Sequence, residues 1–312
     1  MSNSFPIQLT IILPIKDRHE CTLTWLQNNY SENFEYIIAD GSYSNENKEI
    51  FDKYKKKNIQ YIRFKPDTSY RDYYKKMYEC TLLIKTNFVM QSDNDDYLNH
   101  KGINKIISTL IKKNKNIGSG YTSHILKKNE LFRHINFEKK IDFYIKNNNF
   151  QIYENFFDNY IPLFYSVFSS VIFKKIYLNI VKSDIYFLSS YEYLFTLLAI
   201  KYGDITKVKT NHYIRLINTI SSTSVEYKKI IKIQKYYEID FLKIVNILFL
   251  KKSNAPKNFI SKISNRVFRK KMTIQKNLYL SNLIILFLKK IFHPYMNIKF
   301  LRLYLYYYSK LF

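Results

Sequence analysis

At 312 residues the chain is long for one hydrophobic core and short for three, so one large domain with an appendage, or two domains, is expected. Apolar residues make up 46% and aromatics 18%, which excludes a disordered chain; two cysteines, Cys21 and Cys80, exclude a disulfide framework or a cysteine-based zinc site and fit a reducing interior. Fifty Lys and Arg against 25 Asp and Glu leave a net charge of +25, which points to an anionic partner: nucleic acid, an acidic membrane surface or a phosphorylated substrate.

The opening stretch MSNSFPIQLTIILPIKDR has its apolar part broken by Pro6, Gln8 and Pro14 and lacks a basic leader, so it does not read as a signal peptide. Leu9 to Leu13 is a buried strand stopping at Pro14. Tyr36 to Ala39 stops at Asp40 and Gly41, Ile59 to Phe64 before Pro66, and Phe88 to Met90 at QSDNDDYL. Between these four strands the spacing predicts helices over about 19–29, 45–57 and 70–84. Such alternation implies right-handed βαβ crossovers and a mainly parallel sheet. Ligands of such a sheet bind beyond the carboxyl ends of its strands, where Asp17, Asp40 and the acidic knot Asp93, Asp95 and Asp96 all fall.

Residues 117–137 suggest a hairpin turning around Lys127 to Asn129. Residues 150–220 mix apolar strands with a helix over Tyr191 to Tyr202, capped by Ser190 and ended by Gly203. After about 222 helical segments dominate. From Phe241 to Phe312 there is no Asp or Glu against 15 Lys plus Arg. The longest aliphatic run there, Leu283 to Leu288, is far short of the ~20 residues of a spanning helix.

As a bare pattern the acidic knot has two readings. Divalent cations such as Mg²⁺ and Mn²⁺ prefer oxygen ligands, but acidic clusters also form solvated turns or helix caps, and Asp96 is a candidate cap for a helix from Asn99 to Lys113. Position separates the readings: an acidic knot after the fourth strand, with DGS after the second, favours a cation.

LTIILPIKDR, then YIIADGS, then FVMQSDNDDYL resembles the nucleotide-binding half of GT-A glycosyltransferases, in particular the inverting family 2. KMYECTLLIKTNFV and NYIPLFYSVF extend the likeness to a bacterial subgroup of family 2-like enzymes. The resemblance implies an α/β GT-A fold, Rossmann-like, with a mainly parallel sheet and helices on both faces. Residues 1–125 would be the nucleotide-sugar-binding half, 126–221 the acceptor-binding half, and 222–312 a basic helical region beyond the likeness.

Carried over by position, the resemblance implies that Pro14 and Asp17 lie near the nucleotide base and that Asp40 accepts a hydrogen bond from uracil or its equivalent. Asp93 would face the ribose and Asp95 would ligate a Mn²⁺ or Mg²⁺ ion bridging the diphosphate, with Asp96 a second ligand or a cap. A second register, Asn94, Asp95 and Asp96, also keeps Asp95. Arg71, Lys75 and Lys76 precede the fourth strand, Lys76 matching the subgroup's lysine, where a cation neutralises phosphate. Glu192 matches the family's catalytic base, with Asp184 and Asp158 as alternatives. His212 is a candidate further metal ligand and Arg215 a diphosphate contact. Tyr160, Phe164 and Tyr165 form either an acceptor platform or core.

The basic stretches LSNLIILFLKKIFH and FLRLYLYYYSKLF suit helices lying on an anionic membrane, or a subdomain packed on the core. The expected protein is a cytoplasmic transferase, peripheral on the inner face of the cytoplasmic membrane, moving a sugar from a nucleotide sugar, in the first place a UDP-sugar, to a glycan or glycolipid hydroxyl. A nucleotidyltransferase of similar fold is the rival enzyme, but its loop after the first strand is usually glycine-rich and basic, and PIKDRHE has no glycine. Nucleic acid is not expected as a partner: no recognition module is present, and acidic residues at the sheet edge repel phosphates.

Overall fold

The computed structural model describes residues 8–126, 132–135, 142, 144–145, 149–156, 160–185, 188–217 and 234–249. LTIILPI forms β1 (Leu9–Ile15), buried throughout. It is apolar on both faces because it lies between β2 (Glu35–Asp40) and β4 (Phe88–Gln91), parallel to both, with helices on either side. Pro14 belongs to this strand rather than ending it. The Ile12 carbonyl accepts from the Ser92 N–H and the Ile15 carbonyl from the Gly41 N–H. Pro14, on Ile12's side of the strand, therefore faces past the end of β4 and removes no ladder bond.

The alternation expected from the sequence is present: α1 (His19–Asn29), α2 (Glu46–Lys53), β3 (Ile59–Arg63) and α3 (Tyr70–Thr81) complete the first βαβ units. A capping box starts α3, with Ser69 Oγ accepting from the Asp72 N–H and Asp72 Oδ2 from the Ser69 N–H. After the acidic loop come β5 (Tyr97–Leu98) and α4 (His100–Lys113). Asn99 caps α4, its Oδ1 accepting from the Gly102 N–H at 3.2 Å, so Asp96 is left for other work.

β6 (Ile117–Leu126) and β7 (Phe132–Ile135) pair antiparallel as the expected hairpin; its turn at 127–131 lies outside the described residues. Then follow α5 (Asn149–Glu154), β8 (Val167–Ser169), α6 (Ser170–Lys182), α7 (Leu188–Tyr202), β9 (Ile205–Ile217) and α8 (Gln234–Phe249). Among the described residues the strands form one sheet in the order β3-β2-β1-β4-β8-β6-β9-β5, with β7 beside β6. The first four are mutually parallel, as are β6 and β9; β8, β5 and β7 run against their neighbours.

Two apolar layers sandwich the sheet. Trp25, Phe51, Ile103 and Leu110 fill one face from α1, α2 and α4. Met77, Phe173, Leu194 and Ile244 fill the other from α3, α6, α7 and α8. Helix α8 thus packs on the core, burying Ile244, Val245 and Leu248, and Lys201 Nζ donates to the carbonyls of Ile247 and Leu248 at its end. Residues 250–312, with most of the basic segment, lie outside the described residues. Among the described residues no helix is long and apolar enough to cross a membrane.

Helix α4 lies so close to β9 that a Cβ on Gly102 would come within 1.9 Å of the Asn211 carbonyl oxygen. The obstacle is backbone and does not swing away. Gly102→Ala is therefore expected to lower the unfolding free energy by about 3 kcal/mol, read by urea denaturation; an unchanged midpoint would disprove the contact.

Candidate active site

The carboxyl ends of β1, β2 and β4 share one edge of the sheet. The loop leaving β1 contains two consecutive non-glycine residues in the left-handed region, Asp17 at φ 50° and Arg18 at φ 54°. Each costs about 1 kcal/mol, and hydrogen bonds to the loop after β2 hold Asp17. The Asp17 N–H donates to Ser42 Oγ at 2.7 Å, and Asp17 Oδ1 accepts from the Tyr43 N–H at 3.0 Å. Asn47 Nδ2 donates to the Asp17 carbonyl at 3.2 Å.

Asp40 is wholly buried and organises that second loop. Its Oδ1 accepts from the N–H and hydroxyl of Ser42, and its Oδ2 from the Tyr61 hydroxyl at 2.5 Å and Arg63 Nη1 at 2.6 Å. Beneath the loop, Lys76 Nζ and Asp67 Oδ2 form a buried ion pair at 2.5 Å, and Lys76 also donates to the Ile15 carbonyl at 3.3 Å. Burial lowers the Lys76 pKa and raises that of Asp67, each opposed by its partner's charge. Gly41 is required here, since a Cβ would stand 2.5 Å from the Asp67 carboxylate atoms.

The loop after β4 brings carboxylate oxygens of Asp93, Asp95 and Asp96 within 4.8 Å of one another, the one such group of three among the described residues. Each is held differently. Asp93 Oδ2 accepts from the Tyr165 hydroxyl, and the Asp93 N–H donates to the Tyr213 hydroxyl at 3.0 Å. Asp95 Oδ2 accepts from Arg18 Nη2 at 2.7 Å. Asp96 is tied to β9, its Oδ1 accepting from the Leu216 N–H and its Oδ2 from the Tyr213 hydroxyl, both at 2.9 Å. Burial pushes the Asp93 carboxyl up and that of Asp96 up to about 7, with the neighbouring carboxylates acting the same way. An all-oxygen donor set that crowds negative charge suits a hard divalent cation, so these residues fit Mn²⁺ or Mg²⁺.

Arg215 lies beside this group, its Nε 4.0 Å from Asp96 Oδ2 and its guanidinium 5.1 Å from the centre of the Tyr165 ring. Tyr165 is buried, stacked at 4.3 Å on Tyr213, with Phe164 packed at the same distance. Tyr160 is half-buried, edge-on to Phe156 and Tyr193. Arg71 is exposed and pairs with Asp184 at 3.2 Å, which Lys243 also approaches at 3.4 Å; Lys75 is exposed. Glu192 is half-buried. Helix α7 starts at Leu188 rather than Tyr191, so Glu192 stands in its second turn and Ser190 lies inside the helix. Burial raises the Tyr73 hydroxyl pKa, and the charges of Tyr177, Asp93, Asp67 and Glu192 act in the same direction. Asp158 lies outside the described residues.

His212 is not among the grouped metal donors. Its ring is buried, with Nε2 3.0 Å from the Tyr165 carbonyl and Nδ1 against Gly120, where a Cβ would come within 2.9 Å. Burial pushes the imidazole pKa down to about 4. The unfolded chain takes up this proton near pH 6.5, so the ring's contribution to stability is intact above about 6.5 and is lost as the pH falls to about 4, on the order of 3 kcal/mol. In urea titrations across that window, the stability gap between wild type and His212→Gln is expected to narrow on acidification; a constant gap would rule out a ring buried neutral.

No protein-family model matches the chain, and no curated protein sequence matches it. Solved structures do. The chain is similar to the crystal structure of S. aureus TarS 1-349, at 15% identity and a TM-score of 0.52, over 78% of this chain and 69% of that one. It is similar also to TarS 1-349 in complex with UDP-GlcNAc (15% identity, TM-score 0.53, 78% and 70% covered) and in complex with UDP (15%, 0.50, 78% and 70%). The fold is GT-A.

The GT-A edge in this chain includes side chains that strand and motif patterns did not reveal. Tyr61 and Arg63, which hold Asp40, share one face of β3 at i and i+2, a spacing visible in IQYIRF. Asp67 had no such signal, because its partner Lys76 is reached only when α3 folds back under β1. Arg18 meets Asp95 across 77 positions of sequence. A cleft of about 590 Å³ opens beside Arg18, bordered also by Asp17, Cys21, Tyr43 and Glu46.

Proposed function

We propose that this chain is a metal-dependent, inverting glycosyltransferase that moves a sugar from a nucleotide sugar, a UDP-sugar, to a hydroxyl of a bacterial surface glycan such as capsule, O-antigen or lipooligosaccharide. The observation that carries this reading is the cluster of Asp93, Asp95 and Asp96 at the carboxyl edge of a GT-A sheet. The complexes of a similar fold with UDP and UDP-GlcNAc support the choice of donor.

In this reading Asp95 and Asp93 hold Mn²⁺ or Mg²⁺, which when bound offsets the charge of the departing diphosphate. Asp96, anchored to Tyr213 and Leu216, fixes the loop to β9 rather than leading the coordination. Arg215 supplies a nearby cation for phosphate. Asp40 and Asp17 act by shaping the two loops that would receive the base, since both oxygens of Asp40 accept internal bonds. Lys76 holds the floor of the same loops through Asp67. Glu192 is assigned as the base that takes the acceptor hydroxyl's proton; Asp184, held by Arg71 and Lys243, is less suited. The basic residues beyond 250 are assigned to the anionic membrane surface where a lipid-linked acceptor resides.

A melting screen over nucleotide sugars, with and without Mn²⁺ or Mg²⁺, tests the reading. A UDP-sugar is expected to raise Tm only with the metal. Metal-independent stabilisation would remove the cation from the reading, and no stabilisation by any nucleotide sugar would remove the donor.

A further inference from the structure

Arg18 is placed against local preference twice. Its backbone is left-handed, and it stands at the N-terminal boundary of α1, where a cation opposes the helix dipole and where its side chain makes no capping bond. Its carbonyl accepts from the Thr22 N–H at 3.2 Å, which starts the helix, but its side chain turns outward. The guanidinium reaches Asp95, donating from Nη2 to Oδ2 at 2.7 Å, with Cys21 Sγ 3.6 Å from the same nitrogen. About half of the Arg18 side chain is exposed, against 19% for that of Asp95, so the guanidinium is the solvent-facing member of the pair. With Arg215 on the other flank, two guanidiniums face three carboxylates. The 590 Å³ cleft borders Arg18 together with Tyr43 and Glu46.

We propose that Arg18 is a resident counter-cation that covers the coordinating oxygen of Asp95 in the free protein and transfers to the donor's diphosphate, so that the divalent ion and the nucleotide bind as a pair. The inference rests on the metal and nucleotide-sugar reading given above. A guanidinium matches carboxylate and phosphate with the same planar fork, so one side chain serves both partners in turn. While it stays on Asp95, its positive charge repels a second cation at the same oxygen.

The test measures Mn²⁺ binding to the full chain without nucleotide, from the loss of the free-ion electron spin resonance signal, and UDP binding in the presence of Mn²⁺. Arg18→Gly keeps the left-handed backbone and removes the charge; Arg18→Lys keeps a charge. Arg18→Gly is expected to bind Mn²⁺ alone about tenfold more tightly than wild type, and UDP with Mn²⁺ several-fold more weakly. Arg18→Lys is expected to stay near wild type for Mn²⁺ alone. Unchanged or weaker Mn²⁺ binding by Arg18→Gly overturns the proposal, as does an Arg18→Lys protein that binds Mn²⁺ as tightly as Arg18→Gly. Failure of wild type and both variants to take up Mn²⁺ even with UDP overturns the metal reading itself.

Discussion

Asp95→Asn is expected to abolish the melting shift given by a UDP-sugar with Mn²⁺ and to reduce transfer by about a thousandfold or more, equivalent to about 4 kcal/mol of transition-state stabilisation. The substitution keeps the shape of the side chain and removes the charge that a hard cation requires. Its effect on the free protein is small, because loss of the ion pair with Arg18 is offset by relief of the repulsion that the Asp95 charge exerts on the Asp93 and Asp96 carboxylates. A near-wild-type Tm without ligand, combined with no response to donor and metal, is therefore the expected pair of results. A variant that still shifts with Mn²⁺ and donor would move the coordination away from Asp95.

Glu192→Gln is expected to separate binding from chemistry. The proposed nucleotide site lies at the ends of β1, β2 and β4, whereas Glu192 stands on α7, so donor binding and its metal dependence should persist. Transfer should fall by about a hundred- to ten-thousandfold, the range for loss of a positioned general base. Initial rates with donor at saturation, beside melting shifts of the same preparation, measure both. Normal turnover would exclude Glu192 as the base. Equal loss of donor binding and turnover would make it part of the binding site.

Much of the fold was legible because strands buried on both faces have to be apolar end to end. LTIIL, YIIA and FVM announce themselves in that way, although β1 runs on through Pro14 to Ile15, β2 to Asp40 and β4 to Gln91. The helix ends were less legible. Helix α2 stops at Lys53 and α3 at Thr81, earlier than periodicity suggested, and α7 starts at Leu188. That last shift puts Glu192 in the second turn, where the dipole of the helix N-terminus acts on it less. The long β9 was hidden because ITKVKTNHYIRLI alternates polar and apolar residues only loosely, while its 13 residues are held by β6 on one side and β5 on the other.

The sequence by itself determined the parallel half of the sheet, the edge at which ligands would gather and the clustering of Asp93, Asp95 and Asp96, since each of these follows from patterns only a few residues wide. Tertiary structure decided what the individual side chains do. Asp40 is consumed by Tyr61, Arg63 and Ser42, Lys76 by Asp67, and His212 by a buried niche under Tyr165. Asp96 is fastened to β9 and Asp95 meets Arg18. These pairings join residues from 2 to 120 positions apart. Most depend on strand order and on which way α3 and β9 return, and such long-range geometry leaves no trace in the local spacing of charges.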